Sequence, residues 1–576
     1  MATETTSGNE NSSGAAPDRT GAEPDPQAVP EKSDSTSGSM MRSSMVMAVG
    51  TMVSRITGFI RTIVIAAALG TQLLGDAFNT AYTIPFIIND LLIGGLMASV
   101  IVPFLVKRRK RDSDGGKATE DRLFTGAVLL LFVVTAIMIA AAELLIGLYA
   151  SSFQPQQAQV SVYLARFLLA QIFFVGMSGL MSAMLNTRNK FGAPVWAPVL
   201  NNLVMITVAA LFLWVAPGRS VETVTDSELV LLGAGTSCGM VVQAVVLLVS
   251  LWRSGYRWRP RLDMRNSGLG EAMRTAGWML LYTVMTQVGF LITTNIATRA
   301  NVAAAENGAG VGAGITAYNY GYQLFQLPYA IIAVSLITVL LPTMSAFAAD
   351  ERWDEVRSGF SRTLRTSALV LAPMGVAIAI FAGPLSVLLF ARGNTSVLDA
   401  QNIGFILSVM ALGLVPFTVF QLMLRVFYAL GDTRTPAMLS IANVAVHGTC
   451  ALLAYLFLPA TTVVTGVAAG FMFSYLTGSV IAGLILSRRL GGLDGGRILS
   501  TLVRLHLAVL PAAALGWFTL RFFMDRFGEE SLLTNLGAPV AGCLLALPVF
   551  VLFAWLLRVR ELTSVVELVR GRLRRG

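Results

Sequence analysis

Residues 107–149 read KRRKRDSDGGKATEDRLFTGAVLLLFVVTAIMIAAAELLIGLY. A basic block gives way to an apolar run from Phe124 to Tyr149 that holds one charge, Glu143. At 1.5 Å per residue such a run crosses a hydrocarbon core of about 30 Å as a helix. Its apolar residues are continuous, not alternating, so it does not read as a barrel strand. In lipid a backbone without water must satisfy itself, and a helix is the remaining solution.

The same pattern recurs outward from this segment. Apolar spans fall at residues 44–69, 77–106, 124–149, 161–185, 195–216, 228–252, 272–298, 314–343, 364–391, 401–430, 437–458, 462–487, 500–523 and 533–557. Of 576 residues, 55% are hydrophobic and 13% charged, with mean hydropathy +0.68. Soluble chains carry about 25% charged residues. The predicted fold is an all-α polytopic membrane protein of fourteen transmembrane helices, and a soluble enzyme is excluded.

The basic residues set an orientation. Lys107, Arg108, Arg109, Lys110 and Arg111 follow span two, Arg188 and Lys190 follow span four, and Arg253, Arg257, Arg259, Arg261 and Arg265 follow span six. Arg352, Arg357 and Arg362 follow span eight, Arg434 follows span ten, Arg488, Arg489 and Arg497 follow span twelve, and Arg558 and Arg560 follow span fourteen. The alternate loops are nearly bare, and 70–76, 150–160 and 459–461 hold no Lys or Arg. The positive-inside rule then predicts both termini on the cytoplasmic side. It also accounts for the net charge of +10 without nucleic acid as a partner.

An internal repeat divides the spans. Ala77-Phe78-Asn79 with Pro85 and Val102-Pro103 in span two matches Ala317-Tyr318-Asn319 with Pro328 and Leu341-Pro342 in span eight. Pro194 precedes Asn201 as Pro436 precedes Asn443, seven residues apart in both copies. Six spans per copy is an even number, so both copies enter from one side and form a parallel repeat around a central cavity. The expected organisation is a disordered cytoplasmic tail at 1–43, six-helix bundles at 44–260 and 261–490, two extra helices at 491–558 and a basic cytoplasmic tail at 559–576. The first 43 residues are too poor in large apolar side chains to bury a core.

Charge inside a span marks the candidate site. Each such group costs about 2.5–3.5 kcal/mol on insertion scales, so it faces a wet interior or a partner. Arg55 and Arg61 in span one lie on neighbouring flanks of a helix, and Asp76 and Asp90 bracket the start of span two. Two readings follow: a structural bridge from either arginine to Asp76 or Asp90, or an anion clamp, since arginine grips phosphate bidentately. Asn295 and Arg299 at the outer end of span seven are secondary candidates, and Arg299 also suits an interfacial snorkel. Glu143, Arg166 and Arg425 are weaker cases. Cys238, Cys450 and Cys543 share no local motif, and His447 and His506 are far apart. Zinc sites and a Ser/His/Asp triad lack the residues they need, so no enzyme and no metal is expected. No GxxxxGK[ST] loop is present, so no nucleotide cofactor is expected either.

Several of these residues carry a family likeness. Ser54-Arg55-Ile56-Thr57-Gly58-Phe59-Ile60-Arg61, then Asp76-Ala77-Phe78 and Pro85, resembles the start of the MurJ (MviN) lipid II flippases. Leu185-Asn186-Thr187-Arg188-Asn189-Lys190-Phe191, Gln326-Leu327-Pro328 and Gly431-Asp432-Thr433-Arg434-Thr435-Pro436 continue it, with wording similar to actinobacterial members. The resemblance implies a fold of the multidrug/oligosaccharidyl-lipid/polysaccharide exporter type. It implies transfer of an undecaprenyl-pyrophosphate-linked disaccharide-pentapeptide to the outer leaflet by alternating access, driven by membrane potential or an ion gradient. Membrane lipids, cell-wall synthesis proteins and division proteins are the implied partners. Arg55, Arg61 and Asp76 match residues of the family's cavity. Two further family arginines are replaced, by Asn89 in span two and Gln323 in span eight, and restoring Arg at either is expected to be tolerated. The alternatives are a flippase for another polyprenyl-linked glycan, a cation-coupled multidrug exporter, or a scaffold for wall synthesis.

Overall fold

A computed structural model describes residues 34–94, 116–261 and 269–562. They are helical, with no strand among the described residues. Helix α1 runs Asp34–Leu69. Residues 34–43 are therefore helical where composition predicts an unstructured tail. A helix already nucleated by its apolar span extends outward at little cost, because each added residue gains a bond without a new nucleus.

Helix α2, Leu73–Asn89, continues as a π-turn at Asp90–Gly94. The first group of spans is completed by α3 (Lys117–Ala140), α4 (Ala142–Tyr149), α5 (Pro155–Leu168), α6 (Gln171–Asn186), α7 (Gly192–Val215) and α8 (Asp226–Arg253). The second group holds α9 (Leu269–Glu306), α10 (Ile315–Pro328), a π-turn at Tyr329–Ala333, α11 (Val334–Ala349), α12 (Trp353–Phe390), α13 (Val397–Leu412), α14 (Leu414–Ala429), α15 (Arg434–Phe457) and α16 (Val463–Leu490). After it come α17 (Gly495–Phe527), a π-turn at Leu533–Gly537 and α18 (Ala538–Leu556). Among the described residues, twelve helices are long and apolar enough to cross a membrane, or thirteen with α13 and α14 counted as one span bent by 52°. The second predicted span leaves the described residues after Gly94, so fourteen remains the sequence expectation.

The two π-turns interrupt spans two and eight within one residue of the same repeat position, counted from Ala77 and Ala317. Proline borders one of the breaks. Pro328 offers no N–H and directly precedes the second π-turn, whereas Pro85 lies five residues before the first, inside regular helix. One buried apolar cluster draws on residues from Ile65 to Tyr256, a second mainly on Ala297 to Phe471. Helices α17 and α18 attach to α12 through Leu369, Leu505, Ala508 and Phe550. A groove of about 370 Å³ remains between these three helices, lined by Leu369, Pro373, Phe381, Val509 and Phe550 and by no charged residue.

Candidate functional site

The helix ends at the arginine-poor loops are joined across the repeat. Helix α1 stops at Leu69, which leaves its last carbonyls without intrahelical donors. The loop after α12 caps them from the other group of spans. Thr395 Oγ1 donates to Ala66 O at 2.7 Å, Asn394 N to Ala67 O at 2.8 Å, and Asn394 Nδ2 to Ala68 O at 2.7 Å. Gly393 makes this approach possible. Its φ is +61°, and a Cβ there would lie 2.3 Å from Ala67 O. The capping box of Ser396 and Asp399 starts α13 beside this loop, and the free oxygen of Asp399 accepts Gly312 N at 2.6 Å.

Asp76 is the centre of the same seal. Its side chain is fully buried. Oδ1 accepts Thr316 N at 2.8 Å, and Oδ2 accepts Asn301 Nδ2 at 2.7 Å. Asn301 Oδ1 in turn accepts Ala313 N at 2.9 Å, and Asn79 Nδ2 donates to Thr316 Oγ1 at 3.1 Å. Asn295 and Arg299 belong here too: Ser151 Oγ donates to Asn295 Oδ1 at 3.0 Å and accepts Arg299 Nη2 at 3.1 Å. Asp76→Asn keeps the shape and removes one acceptor. The new amide faces either Asn301 Nδ2 or Thr316 N donor to donor, and Asn301 cannot flip without losing Ala313. One broken bond among buried groups costs about 1–3 kcal/mol. The expected result is a lower melting temperature of the purified protein with weaker growth support, and an unchanged melting curve would show that the seal does not depend on the carboxylate.

The arginines lie away from this seal, toward the basic-loop end. Arg61 Nη1 donates to Asn202 Oδ1 at 3.0 Å and sits 3.9 Å from Met205 Sδ, while its Nε is buried without a partner. Asn202 brackets α1 against α7, since its Nδ2 donates to Ser54 O and Thr57 Oγ1 at 3.2 and 3.1 Å. Arg55 is exposed. The expected bridge does not form among the described residues: neither arginine pairs with Asp76, which is taken by Asn301 and Thr316, or with Asp90, which is exposed at the π-turn. Arg166 and Glu143 instead pair with each other at 3.0 Å, which neutralises both on an exposed surface.

The two replaced arginine positions differ. Gln323 is half-buried and its Oε1 accepts the Thr62 hydroxyl at 2.9 Å, beside Arg61. Asn89 is 8% exposed and its Nδ2 donates to Ile172 O at 3.1 Å, so it ties span two to span four inside the first bundle. The surroundings of Asn89 argue against the tolerance expected for Arg there. A guanidinium there would be buried and would displace the bond to Ile172 O. Asn89→Arg is expected to lower the membrane level of the protein severalfold by blot, because an unpaired buried charge is among the strongly destabilising changes. A normal level would mean that the side chain escapes to the cavity.

Sequence reasoning missed Asn202, Asn301, Thr316, Asn394 and Thr395. Each is a polar residue in or beside an apolar span, and only that signal was available. In the second group of spans lies a cavity of about 370 Å³ lined by aromatic and amide side chains, among them Tyr282, Tyr322, Gln326, Tyr329, Gln421 and Asn443. His447 faces it, with Nε2 2.8 Å from Thr293 Oγ1. At the basic-loop end, ion pairs hold the loops down: Arg188 with Glu120, Arg489 with Asp432 and Arg365 with Glu561. Burial alone would raise the carboxyl of Asp432, but hydrogen bonds from Thr435 and Arg489 hold it below its ordinary value.

Two groups of spans joined at one end around a polar interior define a membrane transporter fold. A lipid II flippase MurJ in an inward closed conformation superposes with a TM-score of 0.70 at 17% identity, over 90% of this chain and 100% of that one. An inward-facing multidrug resistance transporter of the MATE family, in the MOP superfamily, gives 0.61 at 14% identity over 78% of this chain and 99% of its own. The chain belongs to the lipid II flippase MurJ family, whose model matches residues 65–537. A probable lipid II flippase MurJ of Rhizobium meliloti is 28% identical over 80% of this chain and 83% of its own length. The lipid II flippase MurJ of Burkholderia cenocepacia is 28% identical over 86% of this chain and 89% of its own. A probable one from Synechocystis is 26% identical over 94% of this chain and 98% of its own.

Proposed function

We propose that this chain moves lipid II, the undecaprenyl-pyrophosphate-linked disaccharide-pentapeptide, from the inner to the outer leaflet of the bacterial cytoplasmic membrane by alternating access. The observation that carries the reading is the seal around Asp76 at the arginine-poor end, with Arg55 and Arg61 left on the other side of it. With the basic loops cytoplasmic, both termini lie inside and the arginines face the leaflet where the precursor is made. Fourteen spans in two bundles and two extra helices complete the arrangement. The pyrophosphate goes to the arginines. The polyprenyl tail follows the uncharged groove between α12, α17 and α18, where its isoprene units meet apolar side chains.

Driving force comes from the membrane potential or an ion gradient. One charge moved through 100 mV is worth about 2.3 kcal/mol, enough to bias a two-state rocking equilibrium. The test is depletion of the resident flippase in a host that expresses this chain, with leaflet-specific labelling of lipid II. Labelled lipid II in the outer leaflet supports the reading. Growth arrest with lipid II held inside, at normal membrane level, sinks it and favours another polyprenyl-linked glycan or a multidrug substrate.

A further inference from the structure

Arg425 stands on α14, one turn after Gln421, which lines the cavity of the second group of spans. Its guanidinium lies near Tyr329 and 5.8 Å from the Tyr428 ring centroid. Its Nε is buried without a hydrogen-bond partner, as is that of Arg61. No carboxylate pairs with it among the described residues, and none lines the cavity beside it. A half-buried arginine with an unused donor and no counter-ion is costly in a membrane protein unless a ligand completes it.

Its depth can be read from the helices. The bond from Thr62 to Gln323 sets α1 and α10 at one level, and the contact of Thr71 with Gly312 makes them antiparallel. Arg55 lies seven residues before Thr62, and Tyr329 six residues after Gln323, both toward the basic-loop end. At 1.5 Å per residue these are steps of about 10 and 9 Å. Arg55 and the Tyr329–Arg425 pair therefore stand at the same depth, one on each group of spans. Arg55 has no ion pair among the described residues either. Two unpaired guanidinium groups at one level across an interior attract an anion with two phosphates.

We infer that Arg425 binds the pyrophosphate of the transported lipid from the second group of spans, opposite Arg55. This rests on the proposed lipid-linked pyrophosphate substrate. The ligand chemistry is a polyprenyl pyrophosphate, and a monophosphate fills only half of the site.

The full chain in nanodiscs is titrated with undecaprenyl pyrophosphate and, separately, with undecaprenyl monophosphate. Arg425→Ala is expected to weaken the pyrophosphate lipid about tenfold or more and the monophosphate less. Arg425→Lys keeps the charge, loses the fork and is expected to fall between, with its preference for pyrophosphate reduced. It carries the test if the alanine variant fails to elute as folded protein. Arg434→Ala, on the same side but stacked on Trp278, is expected to bind as wild type. Equal binding of pyrophosphate by wild type and both Arg425 variants overturns the inference and leaves the substrate reading standing. A wild type that binds neither lipid overturns the substrate reading, and the inference with it.

Discussion

Gly314→Ala is expected to abolish growth support while the protein still reaches the membrane. A Cβ at Gly314 would lie 1.8 Å from Asp76 Oδ2 and 2.6 Å from Asn301 Nδ2. No rotamer relieves this, because Asp76 is fully buried and fixed by Thr316 N and Asn301. The backbone of Gly314 has φ −113° and is open to any residue, so the effect is steric and not a loss of chain freedom. Either α2 moves away from the start of α10, or the Asp76 bonds break. Both part the two groups of spans at the arginine-poor end. Deuterium exchange should rise in peptides covering 66–76 and 310–320 and stay unchanged near 180–200, since exchange reports local opening. Gly393→Ala should act alike, with backbone strain added at φ +61°. Wild-type growth and exchange for Gly314→Ala would show that this end does not hold the resting state.

Arg61→Ala is the second large effect expected. The residue holds Asn202 through Nη1 and keeps a buried Nε free, so it combines a tie between α1 and α7 with an unused donor. Truncation removes both, yet Asn202 keeps its bonds to Ser54 and Thr57, so α1 stays docked. The protein should insert at its normal level and fail to support growth when the resident flippase is depleted. Arg61→Lys should be impaired as well, because an ammonium does not reproduce the bidentate fork. If Arg61→Ala grows normally at normal abundance, the arginine only packs the helix and the anion reading loses its main residue.

The sequence alone carried the helical membrane architecture. That signal is strong because continuous apolar runs such as Phe124–Tyr149 have one workable structure in lipid. The repeat was legible in the Ala-Phe-Asn and Ala-Tyr-Asn starts of spans two and eight, and the π-turns at Asp90–Gly94 and Tyr329–Ala333 begin 13 and 12 residues after those alanines. Arg55 and Arg61 were legible as a candidate site because charge in an apolar span needs a cause. Partners were not. Asp76 lies three residues from Asn79 and looked like a counter-ion for span one, yet its oxygens go to Asn301 and Thr316, more than two hundred residues away. Asn89 read as a vacated arginine position and proved to be a tie to Ile172 inside one bundle. The capping of α1 by Asn394 and Thr395 had no local signal at all. Hydropathy and repeat registers are properties of neighbouring residues and survive in one dimension. Which donor meets which acceptor depends on how whole helices are set against one another, and only the tertiary structure decides that.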